Sequence, residues 1–327
     1  METTENREAK LDAMPDVVME EILKGCSYVD IQSLRKTCRY IRNIVDDIKP
    51  VSPVTWIELL LGDAIHGKIH FKDGPVLDVT YRGFHEICSV SNNTSRTARD
   101  FENTSVASVF RHDFKILLAS LNQQKKPIER LELFLAVNGP ALLQQTIIEL
   151  LQENRKLQVE RLKLRCDDAA SVLMALSVVS EDVLEKLLIQ RNGYEDEMPI
   201  LGAALDMEHW NNLKGLRIMD YLVGNVKSFV SVPDLEVNCA TISPEDVVLL
   251  KESYRISSTF DRCLIFLDNI DNRLEILRAI LPPNVEAGFR NLHFATTTPG
   301  QMLTIEFSLR YLSFRISDIS NQIEVYG

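Results

Sequence analysis

A six-residue pattern, apolar-x-x-Leu-x-apolar, recurs from Ile128 to Val237 and limits the architectures open to this chain. Its copies are Ile128/Leu131/Leu133, Val159/Leu162/Leu164, Leu184/Leu187/Ile189, Leu213/Leu216/Ile218 and Val232/Leu235/Val237. The middle leucines lie 31, 25, 29 and 19 residues apart, and Leu264 follows Leu235 by another 29. Alternating apolar positions predict a strand in each copy, and each interval has room for a turn and a helix. Helices are expected from Leu142 to Leu151 behind Gly139-Pro140, after Asp168, around Leu201 to Leu205, and briefly before Pro233. One strand and one helix cannot cover their own apolar face, whereas stacked units share a core. The pattern therefore predicts an α/β chain built as an irregular strand/helix solenoid.

The flanks are of other kinds. Residues 1–10 read as a disordered polar tail. Residues 50–88 read as a short β segment linking the amino-terminal helices to the repeats. In it Ile65, Ile69 and Phe71 alternate with His66, Lys68 and His70, and Asp73-Gly74-Pro75 turns the chain toward Val76–Tyr81. Residues 89–108 are rich in Ser, Thr and Asn and predict an exposed loop. Phe110 to Asn122 returns to helical spacing, and residues 109–318 are expected to form the repeat domain. Ser243 and Pro244 fit the N-cap and first position of a helix ending near Tyr254. Residues 274–281 predict another helix, and the segments near 291–295, 302–307 and 311–316 predict a terminal antiparallel β cap.

Met14 to Asp47, MPDVVMEEILKGCSYVDIQSLRKTCRYIRNIVDD, is distinct again. Val18, Met19, Ile22 and Leu23 make one amphipathic segment, broken at Gly25. Asp30 stands where an N-cap belongs, and Ile31, Leu34, Cys38, Ile41 and Val45 repeat at helical spacing. So few residues bury too little surface to be stable unaided, so an outer apolar stripe calls for the rest of the chain or another protein.

This stretch resembles an F-box. Pro15, Ile22-Leu23, Asp30-Ile31, Leu34, Cys38-Arg39 and Ile41 match in place, while Met14, Cys26 and Thr37 depart from the pattern. The resemblance implies a small all-α F-box over residues 11–49 that docks a Skp-type adaptor of a cullin ubiquitin ligase. Pro15, Val18, Ile22, Leu23, Ile31, Leu34 and Ile41 are the residues expected in that contact. The repeat pattern itself is similar to a degenerate leucine-rich repeat, whose expected Asn appears as Asn192, with Asp167 a substitute. Residues 242–269 and 289–316, ISPEDVVLLKESYRISSTFDRCLIFLDN and FRNLHFATTTPGQMLTIEFSLRYLSFRI, resemble the FTH domain found behind F-boxes in a large nematode family. That family implies a protein-binding domain with no catalytic residues to carry over.

In such a solenoid, residues between the leucines project from one face. The positions expected to touch a target are Phe134, Lys163, Arg165, Leu188, Gln190, Arg217 and Met219, with Glu132, Glu236 and Asn238 beside them.

Charge and motif content bound the rest. A formal charge of -11 argues against nucleic acid as the main partner. No apolar run reaches the roughly 20 residues of a membrane span, and the polar start lacks a signal peptide's apolar core, so a cytoplasmic protein is expected, with the nucleus also open. The six scattered cysteines read as free core thiols. His66 and His70 have zinc-pair spacing, but Gly67 stands where such a helix motif needs Glu, and the local pattern is a strand. No metal, cofactor or catalytic residue is expected. The reading is a substrate-recognition adaptor of a Skp–cullin–F-box-type ligase. The alternatives are a non-degradative scaffold and an enzyme whose site is assembled from distant residues.

Overall fold

The structure is a computed structural model. It describes residues 14–26, 28–48, 54–72, 74–84, 86–93, 98–121, 124, 126–136, 149, 156–193, 198–202, 210, 212–267, 273–281, 291–308 and 310–318. The tail over 1–10, the helix expected from Leu142 to Leu151 and residues 203–205 of the next expected helix lie outside them or nearly so. Leu201 and Gly202 themselves are not helical.

Three helices open the chain: α1 (Asp16–Lys24), α2 (Tyr28–Arg35) and α3 (Arg39–Ile48). In α1, Asp16 lies in the first turn and Lys24 in the last, matching the helix dipole at both ends. The stripe read as one helix from Ile31 to Val45 is divided. Thr37 turns its hydroxyl back to the Leu34 carbonyl at 2.7 Å, and Cys38 Sγ accepts from the Ile41 amide at 3.5 Å, so α3 starts afresh. Asp30 lies inside the first turn of α2 rather than capping it. Arg35 clamps α3 through Asp46 at 2.7 Å.

The remainder is built on one fourteen-stranded sheet. Its strands are β1 (Val54–Leu61), β2 (Ala64–Phe71), β3 (Leu77–Phe84), β4 (Ile87–Asn92), β5 (Arg99–Glu102), β6 (Arg130–Leu135), β7 (Arg161–Arg165), β8 (Lys186–Gln190), β9 (Gly215–Val223), β10 (Asp234–Cys239), β11 (Arg262–Leu267), β12 (Asn291–Ala295), β13 (Gln301–Phe307) and β14 (Tyr311–Asp318). The order is β12-β13-β14-β11-β10-β9-β8-β7-β6-β1-β2-β3-β4-β5. From β6 to β11 the strands follow one another in chain order and run parallel. β1 extends this block in parallel beside β6, and antiparallel pairing begins at β2 on one side and at β14 on the other.

Register explains the block. Leu131 pairs with Leu162, Leu162 with Leu187, Leu187 with Leu216, Leu216 with Leu235, and Leu235 with Cys263. All are buried on one face of the sheet. Each such side chain contributes about 1.5–3 kcal/mol of burial. That face is covered by helices: α4 (Val106–Leu121) packs on β3 and β4, and α6 (Pro244–Ile256) packs on β13 and on α7 (Arg273–Ile280). α5 (Ala169–Ser177) follows β7, its Asp168 cap accepting from the Ser171 amide at 2.7 Å. Ser243 caps α6 reciprocally with Asp246, and a 3-10 turn over Val226–Phe229 lies between β9 and β10. The connection from β6 to β7 falls largely outside the described residues, and that from β8 to β9 does so for half its length.

Two expectations are corrected. Residues 50–88 do not merely link. β1 pairs in parallel with β6, matching Ile57, Leu59 and Leu61 to Leu131, Leu133 and Leu135, so the segment extends the same core. Nor is 89–108 a single loop. β4 runs to Asn92, β5 is a four-residue edge strand, and α4 begins at Val106. β5 offers only Phe101 as an apolar signal, and its charged neighbours suit an exposed sheet edge.

The cysteines also divide. Cys88, Cys166, Cys239 and Cys263 are buried, but Cys26 is half-buried and Cys38 exposed. Burial pushes the Cys166, Cys239 and Cys263 thiols up to about 12, which keeps them protonated and unreactive. A native-state maleimide reaction followed by mass spectrometry is expected to label Cys38 first and Cys26 next, with the other four reacting only in denaturant. Early labelling of Cys166 or Cys263 would contradict this packing.

Candidate functional site

Two surfaces emerge, one on the helical bundle and one on the uncovered side of the sheet. The bundle has a core of its own, separate from that of the sheet. Met19, Leu23, Ile31, Ile41, Ile44 and Val45 are buried together, with Met14, Ile22, Cys26, Leu34 and Ile48 partly buried against them. Three residues expected in an adaptor contact, Leu23, Ile31 and Ile41, are thus spent holding the helices together, at 1%, 4% and 2% exposure. Their spacing identified a buried stripe correctly but could not say whether it faced inward or out. Ile22 and Leu34 are half-buried at its margin. Pro15 and Val18 are exposed.

Pro15 precedes α1 with φ -59°, its carbonyl accepting from the Val18 and Met19 amides at 2.9 and 3.1 Å. Val17 is 72% exposed, and Tyr40 on α3 is exposed as well. Val17 and Tyr40 were not anticipated. Both lie one position away from residues of the apolar stripe, on the solvent side of their helices.

On the sheet, alternation sends the residues between the leucines to the uncovered face. Lys163, Arg165, Leu188 and Gln190 are half-buried there, and Arg217 and Met219 are exposed. Phe134 is corrected to a buried residue. Lys163 and Arg165 lie over its ring, 5.2 and 5.1 Å from the centroid, and leave it 9% exposed. Glu132 is buried too, its carboxylate held by Arg130 at 2.6 Å and Lys163 at 3.2 Å. Arg217 meets Glu236 at 3.5 Å, and the Asn238 side chain donates to the Ile218 carbonyl. Sequence reading passed over Arg130, Arg161 and Lys186. Each lies one residue before a buried leucine, so the alternation that located the leucines also places these cations.

Asn192 acts as a strand-end brace. Its side chain donates to the Leu135 carbonyl and to Asp167, so the two polar residues singled out in the repeats meet each other. At β9 the register with β10 shifts. Glu236 pairs with Arg217, but Asn238 pairs with Leu222. Asp220 adopts φ +64° there, and Tyr221 turns into the core to donate to the Cys166 carbonyl at 2.6 Å.

The two histidines of β2 do not converge. His66 bonds Thr80 at 3.0 Å, while His70 stacks on Trp56 with ring centroids 4.1 Å apart. Among the described residues, no group of three or more His, Cys, Asp or Glu is placed to hold a metal ion. No described helix is long and apolar enough to cross a membrane. Burial lowers the His70 imidazole below its ordinary 6.5, Glu58 opposing and Lys68 reinforcing the shift. Its Nε2 is buried with no hydrogen-bond partner among the described residues, so a proton there would lack an acceptor. The unfolded chain takes up that proton first as pH falls. The stability His70 supplies is therefore complete above pH 6.5 and is lost as pH drops through the folded value. An NMR titration is expected to give a His70 midpoint below 6.5, and a midpoint at or above it would contradict the stacked, desolvated geometry.

Comparison with known families adds to this geometry. Residues 11–52 match the F-box domain, covering the three-helix bundle. Residues 142–282 match the FTH domain, from before β7 to the end of α7, so the sheet continues beyond the match on both sides. No curated protein matches the chain. No solved structure matches it either. The chain thus carries an F-box domain at its amino-terminal end and an FTH domain behind it.

Proposed function

We propose that this protein is a substrate-recognition adaptor of a Skp–cullin–F-box-type ubiquitin ligase. The F-box supports an adaptor role of this type. The observation that carries the reading is the separation of the two cores. Among its described residues, the bundle closes on six buried side chains of its own and still presents Pro15, Val17, Val18 and Tyr40 to solvent. A helical bundle that packed against its own sheet would join the larger core, whereas this one is separate from it and leaves Val17 72% exposed. Ile22 and Leu34, half-buried, complete the contact that the Skp-type adaptor covers, and through that adaptor the chain reaches a cullin.

The sheet supplies the other working surface. Its parallel block behaves as a leucine-rich-repeat-like stack, and its uncovered face holds a target protein. The chemistry is proximity: target lysines are kept at high local concentration near a ubiquitin-loaded enzyme, and this chain contributes no reacting group. The protein acts in the cytoplasm or nucleus, a reducing setting that suits six free thiols.

Burying one valine in the adaptor contact is worth about 1.5–3 kcal/mol, so an aspartate there weakens docking by tenfold or more. Val17→Asp and Val18→Asp are expected to lose recovery of a Skp-type adaptor in a pull-down while circular dichroism stays native. Leu23→Asp is the wrong probe because it unfolds the bundle. Equal recovery by both folded valine variants would overturn the adaptor reading. Target half-life with and without proteasome inhibition then distinguishes degradation from scaffolding.

A further inference from the structure

We propose that the open face of β6 to β9 selects its target by charge, taking an extended, carboxylate-rich protein segment that carries an apolar side chain. This inference rests on the reading above of the sheet as the target-binding surface. On these four strands the uncovered face carries Arg130, Arg161, Lys163, Arg165, Lys186 and Arg217, against Glu132 as its carboxylate. That is a local excess of positive charge in a chain whose formal charge is -11.

The ion pairs within the face leave the excess uncompensated. Glu132 is saturated by Arg130 and Lys163, and Arg217 leans on Glu236 from the next strand. Among the described residues, Arg161, Arg165 and Lys186 have no carboxylate partner. Arg161 and Lys186 are exposed and stand directly opposite each other in the register of β7 and β8. Like charges so placed oppose pairing of the strands, and a bound carboxylate relieves that repulsion. Among the described residues, Arg165 donates to the neutral Gln190 side chain at 3.1 Å, and its Nε is buried without an acceptor. A guanidinium placed 5.1 Å from the Phe134 ring centroid, with a buried Nε lacking an acceptor, is suited to a carboxylate. Glu160 and Glu185 precede the two opposed cations in sequence, but Glu185 is occupied by Lys214 at 2.5 Å.

The apolar part of the occupant is set by Leu188 and Met219, which lie beside the cations on β8 and β9. Nucleic acid is the less suitable polyanion. The aromatic ring of this face is buried under Lys163 and Arg165 rather than offered for base stacking, and the rest of the chain repels a long polyanion.

The test uses the full chain and fluorescence anisotropy with three labelled dodecapeptides, alternating Leu with Glu, Gln or Lys, and a single-stranded oligonucleotide of equal length. The Glu peptide is expected to bind best, to weaken with added salt, and to weaken about tenfold in the Arg161→Glu/Lys186→Glu double variant. Both residues are exposed, and native circular dichroism with unchanged adaptor recovery confirms that the variant is folded. Equal binding of the Glu and Gln peptides, or binding unaffected by the double variant, overturns the proposal. Tighter binding of the oligonucleotide than of the Glu peptide also overturns it, in favour of nucleic acid. Adaptor recovery is read separately on the same preparations, so loss of docking at the F-box and loss of charge selection at the sheet register as different results.

Discussion

The lateral matching of one buried leucine to the next, strand after strand, is the constraint on which the molecule depends. Once Leu131, Leu162, Leu187, Leu216 and Leu235 align, the residues on either side of each have no choice of face. A slip of one residue in β7 would bury Arg161, Lys163 and Arg165 and expose Leu162 and Leu164, at a cost no small domain could bear. The charge pattern of the open face is therefore a consequence of how the core is packed. β9 absorbs the irregular repeat spacing in its bulge, where the left-handed backbone at Asp220 lets Tyr221 turn inward.

The second consequence is that the buried side chains form two separate cores of very different size. The sheet core is large and continuous from β1 through β14, whereas the helical bundle, among its described residues, rests on six buried side chains and the Arg35–Asp46 pair. A bundle so small gains stability from whatever it docks, by mass action on its folded state. If the bundle docks an adaptor as proposed, binding would stabilise its folded state, while the sheet keeps a core of its own.

Much of this was legible because it is local. The leucine spacing located five of the parallel strands, Ser243-Pro244 marked the start of α6, and Asp168 marked the start of α5. The three carboxy-terminal strands were legible as short segments near 291–295, 302–307 and 311–316. What was missed depends on contacts remote in sequence. Nothing near Ile57, Leu59 and Leu61 announces that their neighbours are Leu131, Leu133 and Leu135. Phe134 has the same alternation as Lys163 and Arg165, yet it is buried, with those two side chains lying over its ring. On the bundle, helical periodicity identifies a stripe but cannot distinguish a self-packed stripe from a docking one. Leu23, Ile31 and Ile41 proved to be the former, and the solvent-facing Val17 and Tyr40 carried no periodic signal at all.

The independence of the two cores is most directly tested by amide hydrogen exchange of the full chain, alone and with a Skp-type adaptor. Separate cores require slow exchange in β6 to β11 under both conditions, with added protection on adaptor binding confined to α1, α2 and α3. Protection that spreads equally into the parallel strands, or none in the three helices, would contradict a self-contained F-box bundle built to receive another protein.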